Sequence, residues 1–213
     1  MKFYIGTTNT DKIREIGGIL STSGHEYVKT DPINPPETES TFEGNAIIKA
    51  KAYARHCGEM TISEDSGLIV PHLHDLPGPY SARFSECEFD VNTGKMINHK
   101  YSNLSREEID KVNCQKVLKM MEGLKHHERI AYFKVILVVC DHHGKIHFQS
   151  SGESAGIISE KERGDNGFGY DPIFIGDDTF GKTYAELDSM RKNLRSHRRH
   201  VLNKLKHWLM SLE

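Results

Sequence analysis

The chain has 213 residues, with 28 Lys and Arg against 30 Asp and Glu and a formal net charge of −2. That length supports an ample core in one or two lobes, and the near-balanced charge argues against a dedicated nucleic-acid-binding protein. No signal peptide or membrane-spanning run stands out, and Cys57, Cys87, Cys114 and Cys140 lack metal or redox spacing. Reduced thiols in a cytoplasmic protein are therefore expected, with no membrane or nucleic-acid partner.

In chain order, Lys2 to Ile5 reads as a short buried strand and Gly6 to Lys12 as a turn. Ile13, Ile16, Ile19 and Leu20 then follow at helical spacing. A strand, a turn of small residues and a helix N-terminus make an anion site, because the first N–H groups of the helix point outward. Thr7, Thr8, Asn9 and Lys12 add side-chain donors, although Asn9 or Thr10 also reads as an ordinary N-cap. The glycine spacing and Lys-Ser/Thr pair of a Walker loop are missing.

A loop over residues 35–40 leads into a helix-prone run from Thr41 to Ala54, with Ala46, Ala50 and Ala54 on its packed side. Asn45 and Lys49 lie one turn apart on one face. The strand pattern over 61–70 is interrupted by Glu64 and Asp65, which on a regular strand face opposite ways and share no role unless the strand breaks. Carboxylates inside an apolar strand are costly unless paired or bound to a cation. Glu37 or Glu39 with Asp65 or Glu64 would hold a divalent metal, magnesium being the natural choice; solvated acids at a strand end are the alternative.

Ser105 with Glu108 has capping-box spacing and predicts a helix, preceded by polar loop material. Residues 130–140 read as a long buried strand, 141–144 as a hairpin turn, 145–150 as its partner and 154–159 as a third strand. Residues 167–174 then combine permissive glycines with Phe168, Tyr170 and Asp171, ahead of Lys192, His197 and Arg198. Aromatic faces, a carboxylate and cationic donors suit a flat, polar-edged, anionic ligand such as a nucleotide. An aromatic core turn followed by a solvated basic helix, drawn from about 188 to 210, is the plainer alternative. The scattered histidines predict no zinc site. The elements together predict a mixed α/β sheet flanked by helices, and no repeat or linker divides the single domain expected over 1–213.

Taken in order, these blocks resemble the inosine/xanthosine triphosphate pyrophosphatase family. The resemblance runs from Lys2 almost to the C-terminus. It is carried by Thr7-Thr8-Asn9 with Lys12, Glu37 before Thr41-Phe42, and Asn45-Ala46 with Lys49-Ala50. It continues through Asp65 to Leu68, Pro77 to Arg83, Gly167 to Phe174, Thr183 with Ala185 to Leu187, Lys192, and Ser196-His197-Arg198. Each block is weak alone; the ordered series is specific.

The resemblance implies attack of water on the α-phosphorus of a non-canonical purine nucleoside triphosphate (ITP, dITP or XTP), giving monophosphate and pyrophosphate. It implies Asp65 as general base and magnesium ligand and Glu37 as a second ligand. Thr7, Thr8, Asn9, Lys12 and Lys49 become the triphosphate cradle, with Ser66 beside it. Phe168 becomes the residue stacking on the purine, next to Gly169 and Tyr170, with Asp171, Lys192, His197 and Arg198 as base-edge and phosphate readers. An elongated two-lobed sheet with its active site in the cleft between lobes, and a homodimer, are also implied.

The chain departs from the pattern in two places. Glu64 stands where many members carry a second aspartate, which leaves open whether it ligates metal or supports Asp65. Residues 86–113 are longer than in short members, an insert expected not to touch a matched motif. Two other readings stay open: a nucleotide pyrophosphatase of different base preference, and a catalytically silent nucleotide-binding module.

Overall fold

The computed structural model describes residues 1–21 and 23–212. In chain order the elements are β1 (Lys2–Ile5), α1 (Thr10–Leu20), β2 (Glu26–Lys29), α2 (Phe42–Cys57), β3 (Thr61–Val70), β4 (Leu76–Pro77), β5 (Cys87–Phe89), β6 (Met96–His99) and α3 (Arg106–Met120). They continue with β7 (Ile130–Cys140), β8 (Ile146–Ile158), β9 (Phe174–Gly176), α4 (Ser189–Arg195) and α5 (His197–Met210). The main sheet has the strand order β2-β1-β3-β7-β8-β9, with β4 paired to β3. It is mixed: β1 runs parallel to β2 and β3, whereas β4 is antiparallel to β3 and β9 to β8. The fold is therefore mixed α/β, as the order of elements predicts.

The chain forms two compact units, one of residues 1–66, 135–153 and 196–213 and the other of residues 67–134 and 154–195. Three of the boundaries fall inside β3, β7 and β8 rather than in linkers.

In the first unit, the 135–140 stretch of β7 shows why the strand lacks a polar face there. Val135, Leu137 and Val139 join a core with Ile16, Ile19 and Leu20 of α1 and Val201, Leu202, Leu205 and Leu209 of α5. Val138 and Cys140 point the other way, into Ala46, Ala50 and Ala54 of α2. Period-two alternation with helices on both sides reads in sequence as a continuous apolar run. The second unit has its own core, in which Cys114, Val117 and Met121, from α3 and the residue after it, pack with Leu68, Val70, Phe84, Phe133, Tyr170 and Phe174.

Four local expectations change. β3 is not interrupted at its two acids but runs unbroken from Thr61 to Val70. Residues 145–150 and 154–159 are not separate strands, because β8 continues through Gly152. A Cβ at Gly152 would lie 2.2 Å from the His197 carbonyl oxygen, so the glycine marks a close approach of α5 rather than a strand end. The C-terminal helix is two helices divided at Ser196, whose extended backbone and side chain, accepting from Arg199 N at 3.1 Å, begin α5 anew. Finally, the span after residue 86 is not loop alone: residues 92–95 and 101–103 lie outside any strand as expected, but β5 and β6 form a hairpin around 92–95, its turn held by the Asp90 carboxylate on Asn92 N and Thr93 N. The helix expected after Ser105 is α3, and its capping box with Glu108 is formed.

Candidate active site

In the first unit, Gly6 brings the β1–α1 turn against β3. A Cβ there would meet Tyr53 and Thr61 within 2.9 Å, and Gly6 N donates to Ile62 O at 2.8 Å. Past this turn Asn9 acts as N-cap, its Oδ1 accepting from Asp11 N at 2.9 Å and Lys12 N at 3.1 Å. Thr7 Oγ1 accepts from Asn9 N at 3.2 Å, and Thr8 is exposed. The capping reading of Asn9 therefore holds, and its carbonyl oxygen is committed to the helix.

The unbroken β3 sends Glu64 and Asp65 to different partners, as strand alternation requires. Glu64 is buried, with two cations and one hydroxyl on its carboxylate. Arg198 donates from Nε to Oε2 at 2.7 Å and from Nη2 to Oε1 at 2.9 Å, while Lys12 Nζ lies 3.1 Å from Oε1. Ser66 Oγ donates to Oε1 at 3.2 Å and accepts from Arg198 Nη2 at 3.1 Å, and Nη1 of the same arginine pairs with Glu15. Burial would raise the Glu64 carboxyl, but Arg198 and then Lys12 outweigh it and hold it well below the usual carboxylate range. Lys12 itself is pulled down by burial, which Glu64 only partly offsets.

Asp65 meets another cation. Its Oδ1 accepts from Lys49 Nζ at 2.6 Å, and that nitrogen lies 3.0 Å from Glu37 Oε1. The loop carrying Glu37 is held to α2 by the Asn45 amide, which accepts from Glu39 N at 2.9 Å and donates to Glu39 O at 3.1 Å. Gly44 leaves room for this, since a Cβ there would sit 2.5 Å from Glu39 Cγ. Burial lowers the Lys49 ammonium, but Asp65 and Glu37 outweigh it and the net direction is upward. Asp65 is raised by burial, with Lys49 and Lys12 pulling the other way.

Asp65 Oδ2 is buried with no hydrogen-bond partner among the described residues. Buried carboxylate oxygens are rarely left so, and an orphan of this kind points to a missing ligand. No group of three or more His, Cys, Asp or Glu side chains able to hold a metal occurs among the described residues. Two hard oxygen donors, Asp65 and Glu37, on either side of one ammonium nonetheless suit a cation that completes its shell with water and phosphate oxygens.

In the second unit the loop over 167–171 is built around two glycines at φ +77° and +60°, Gly167 and Gly169. A Cβ on Gly167 would lie 2.0 Å from Asp171 Oδ2, so the loop closes tightly on that carboxylate. Asp171 Oδ2 accepts from Phe168 N at 2.9 Å and Lys192 Nζ at 2.6 Å, and Lys192 Nζ stands 4.3 Å from the Phe168 ring centre. Phe168 is half-buried, whereas Tyr170 is a core residue whose hydroxyl donates to Ser81 O at 2.8 Å. Its phenol is raised well above the ordinary value by burial. Tyr170 thus offers no free stacking face.

His197 and Arg198 belong to the first unit rather than to the one holding Asp171 and Lys192. Arg198 is only 1% exposed, committed to Glu64, Glu15 and Ser66. Three contributors escape a reading of the sequence. Glu15 had a signal, a carboxylate set beside the apolar stripe of α1. Asp110 and Asn113 had none. Both lie in the 86–113 insert, and both correct the expectation that it touches no motif: Asp110 Oδ2 accepts from Gly169 N at 2.9 Å and Asn113 Nδ2 donates to Ser81 O at 3.2 Å.

Comparison with known proteins gives a consistent result. The profile of the Ham1 family matches residues 3–208. A dITP/XTP pyrophosphatase of Aquifex aeolicus is 38% identical over 218 residues, spanning 100% of this chain and 98% of that protein. One from Bacillus subtilis is 38% identical over 205 residues, spanning 94% and 93%. Of solved structures, the Staphylococcus aureus Ham1 protein superposes with a TM-score of 0.79 at 29% identity over 100% of both chains. The nucleoside-triphosphatase, or dITP/XTP pyrophosphatase, of Mycobacterium abscessus gives 0.67 at 31% identity over 96% and 97%.

Proposed function

Since the chain belongs to the Ham1 family, we propose that it hydrolyses non-canonical purine nucleoside triphosphates, ITP, dITP and XTP, to the monophosphate and pyrophosphate. The observation that carries this reading is the buried Asp65, with an orphaned oxygen beside the ammonium it shares with Glu37. Phosphoryl transfer chiefly needs charge neutralisation and in-line positioning, and a dense, preformed set of charges supplies both.

Lys12, Lys49 and the hydroxyls of Thr7 and Thr8 take the triphosphate, with the start of α1 contributing its field. Asp65 and Glu37 would hold magnesium, which would supply neutralisation of phosphate charge. Asp65 accepts a proton from water as the water oxygen bonds to the α-phosphorus, the bond to the bridging oxygen breaks and pyrophosphate leaves. Glu64 is assigned a supporting role, because Arg198, Lys12 and Ser66 already engage its oxygens. Arg198 then acts on the substrate indirectly, through Glu64 and Ser66.

Phe168 stacks on the base, with Asp171 and Lys192 as polar readers at its edge. Donors set for a 6-oxo group are left unpaired by a 6-amino group, which is the physical basis for sparing ATP. We read the protein as a homodimer acting on the cytoplasmic nucleotide pool, the dimer being open to a sedimentation measurement. No described helix is long and apolar enough to cross a membrane.

Pyrophosphate release measured across purine and pyrimidine triphosphates with magnesium tests the reading. Turnover of ITP, dITP or XTP far above that of ATP and GTP is expected. Orthophosphate as the product, or equal turnover of ATP, would overturn it.

A further inference from the structure

Phe168 lies outside any helix or strand, ahead of a short 3-10 turn over Asp171–Ile173, and glycines at positive φ on both sides of it allow the backbone many conformations. A stacking face on such a loop is useful only if something fixes the backbone. Asp171 fixes Phe168 N from within the loop. The other support comes from α3, whose first half lies in the insert. Asp110 Oδ2 accepts from Gly169 N at 2.9 Å, and one turn later Cys114 Sγ donates to Gly169 O at 3.3 Å. Both polar groups of one peptide position are thus held by residues four apart on a single helix face. The bond from Gly169 N goes to a carboxylate, the stronger class of hydrogen bond.

We propose that Asp110 is a positioning residue for base recognition: it fixes the 167–171 loop so that the Phe168 ring is preset to stack on the purine. This rests on the assignment of Phe168 to the base. Cys114 is a weak donor and Asn113 acts one step away, through Ser81, whose carbonyl oxygen also accepts from the Tyr170 hydroxyl. Asp110 is therefore the strong link. Its helix also carries Arg106, 3.1 Å from Asp110 Oδ1, which allows the ion pair to be removed separately from the loop contact.

Presetting the loop acts on binding, so its loss should weaken ground and transition states alike. Asp110→Ala should raise KM for ITP by roughly 5- to 30-fold with kcat within about twofold. The inhibition constant of inorganic triphosphate, which has no base, should stay unchanged. Asp110→Asn, which keeps an acceptor oxygen, should recover most of the KM, and Arg106→Ala should leave it alone. Independently of any turnover, hydrogen exchange at the Gly169 amide of the free protein should quicken in Asp110→Ala and not in Arg106→Ala. Unaltered exchange at Gly169, an unaltered KM, equal effects of the alanine variants at 106 and 110, or a parallel weakening of inorganic triphosphate would each overturn the proposal. If the wild type does not turn over ITP, the substrate assignment fails, while the exchange measurement still decides whether Asp110 holds the loop.

Discussion

The cluster around Asp65 and the loop around Phe168 are built in opposite ways. Around Asp65, side chains that carry formal charge face one another inside the protein: Lys12 with Glu64, Arg198 with Glu64 and Glu15, Lys49 with Asp65 and Glu37. Apart from Glu37, which a loop tied to α2 carries, they are mounted on strand and helix, and their mutual pairing is already formed. Around Phe168 the scaffold is loop, the glycines have no side chain, and much of the order comes from hydrogen bonds to backbone atoms. The contrast fits two different recognition problems. Phosphate chemistry rewards fixed charge, whereas a base is recognised by a face and an edge that a shaped loop can offer.

The largest effect expected from breaking this contrast is on the charged side. Chelation with EDTA should abolish turnover and magnesium should restore it, with Glu37→Gln raising the magnesium concentration needed, as expected when a hard oxygen donor is lost. Full activity in chelator would remove the metal from Asp65 and Glu37. Next, Asp65→Asn keeps the shape but loses the proton acceptor and one negative charge, so kcat should fall at least ~10²-fold. A near-normal kcat would exclude Asp65 as base, and Glu64, committed to Arg198, would not be an easy replacement.

The third measurement asks whether the charged cluster also holds the fold. Glu64 is kept below its ordinary range, so its stabilising contribution is present above the unfolded carboxylate pKa of about 4.3 and fades as pH falls through the lower folded value. Arg198→Met strips away its main cation while leaving the carboxyl buried. Stability at neutral pH should drop by about 3–5 kcal/mol, and the acid-unfolding midpoint should move to higher pH. Melting temperature followed against pH reads both; an unmoved acid midpoint would show that Lys12 alone suffices.

The smallest effect belongs to the loop. Phe168→Ala deletes a face and leaves the charges in place, so KM for ITP should weaken by about 1–3 kcal/mol with kcat held. A fall in kcat without a change in KM would mean that the ring serves the chemistry rather than the base.

Local signals carried much of the fold into the sequence. The β1–α1 unit, α2 with its alanine face, the capping box of α3 and the long apolar β7 are legible because each depends on spacing within a few residues. The approach of Asn45 and Lys49 to the acidic loop also follows from helical spacing on α2. Where neighbouring elements override local preference, the reading fails: Gly152 is a glycine inside β8 because α5 passes against it, and α4 ends at Arg195 because the Ser196 side chain caps the next helix.

The division of labour between Glu64 and Asp65 was decided only in three dimensions. Alternation along a strand says that they diverge, but not that Arg198, 134 positions away, encloses the first while Lys49 takes the second. The tie between Asp110 and Gly169, 59 positions apart, is of the same kind. Residue type and spacing determined which chemistry the chain can perform, because they act locally. Which charge is spent on structure and which is left with an unpaired oxygen depends on contacts between distant segments, and those exist only once the sheet and its helices have packed.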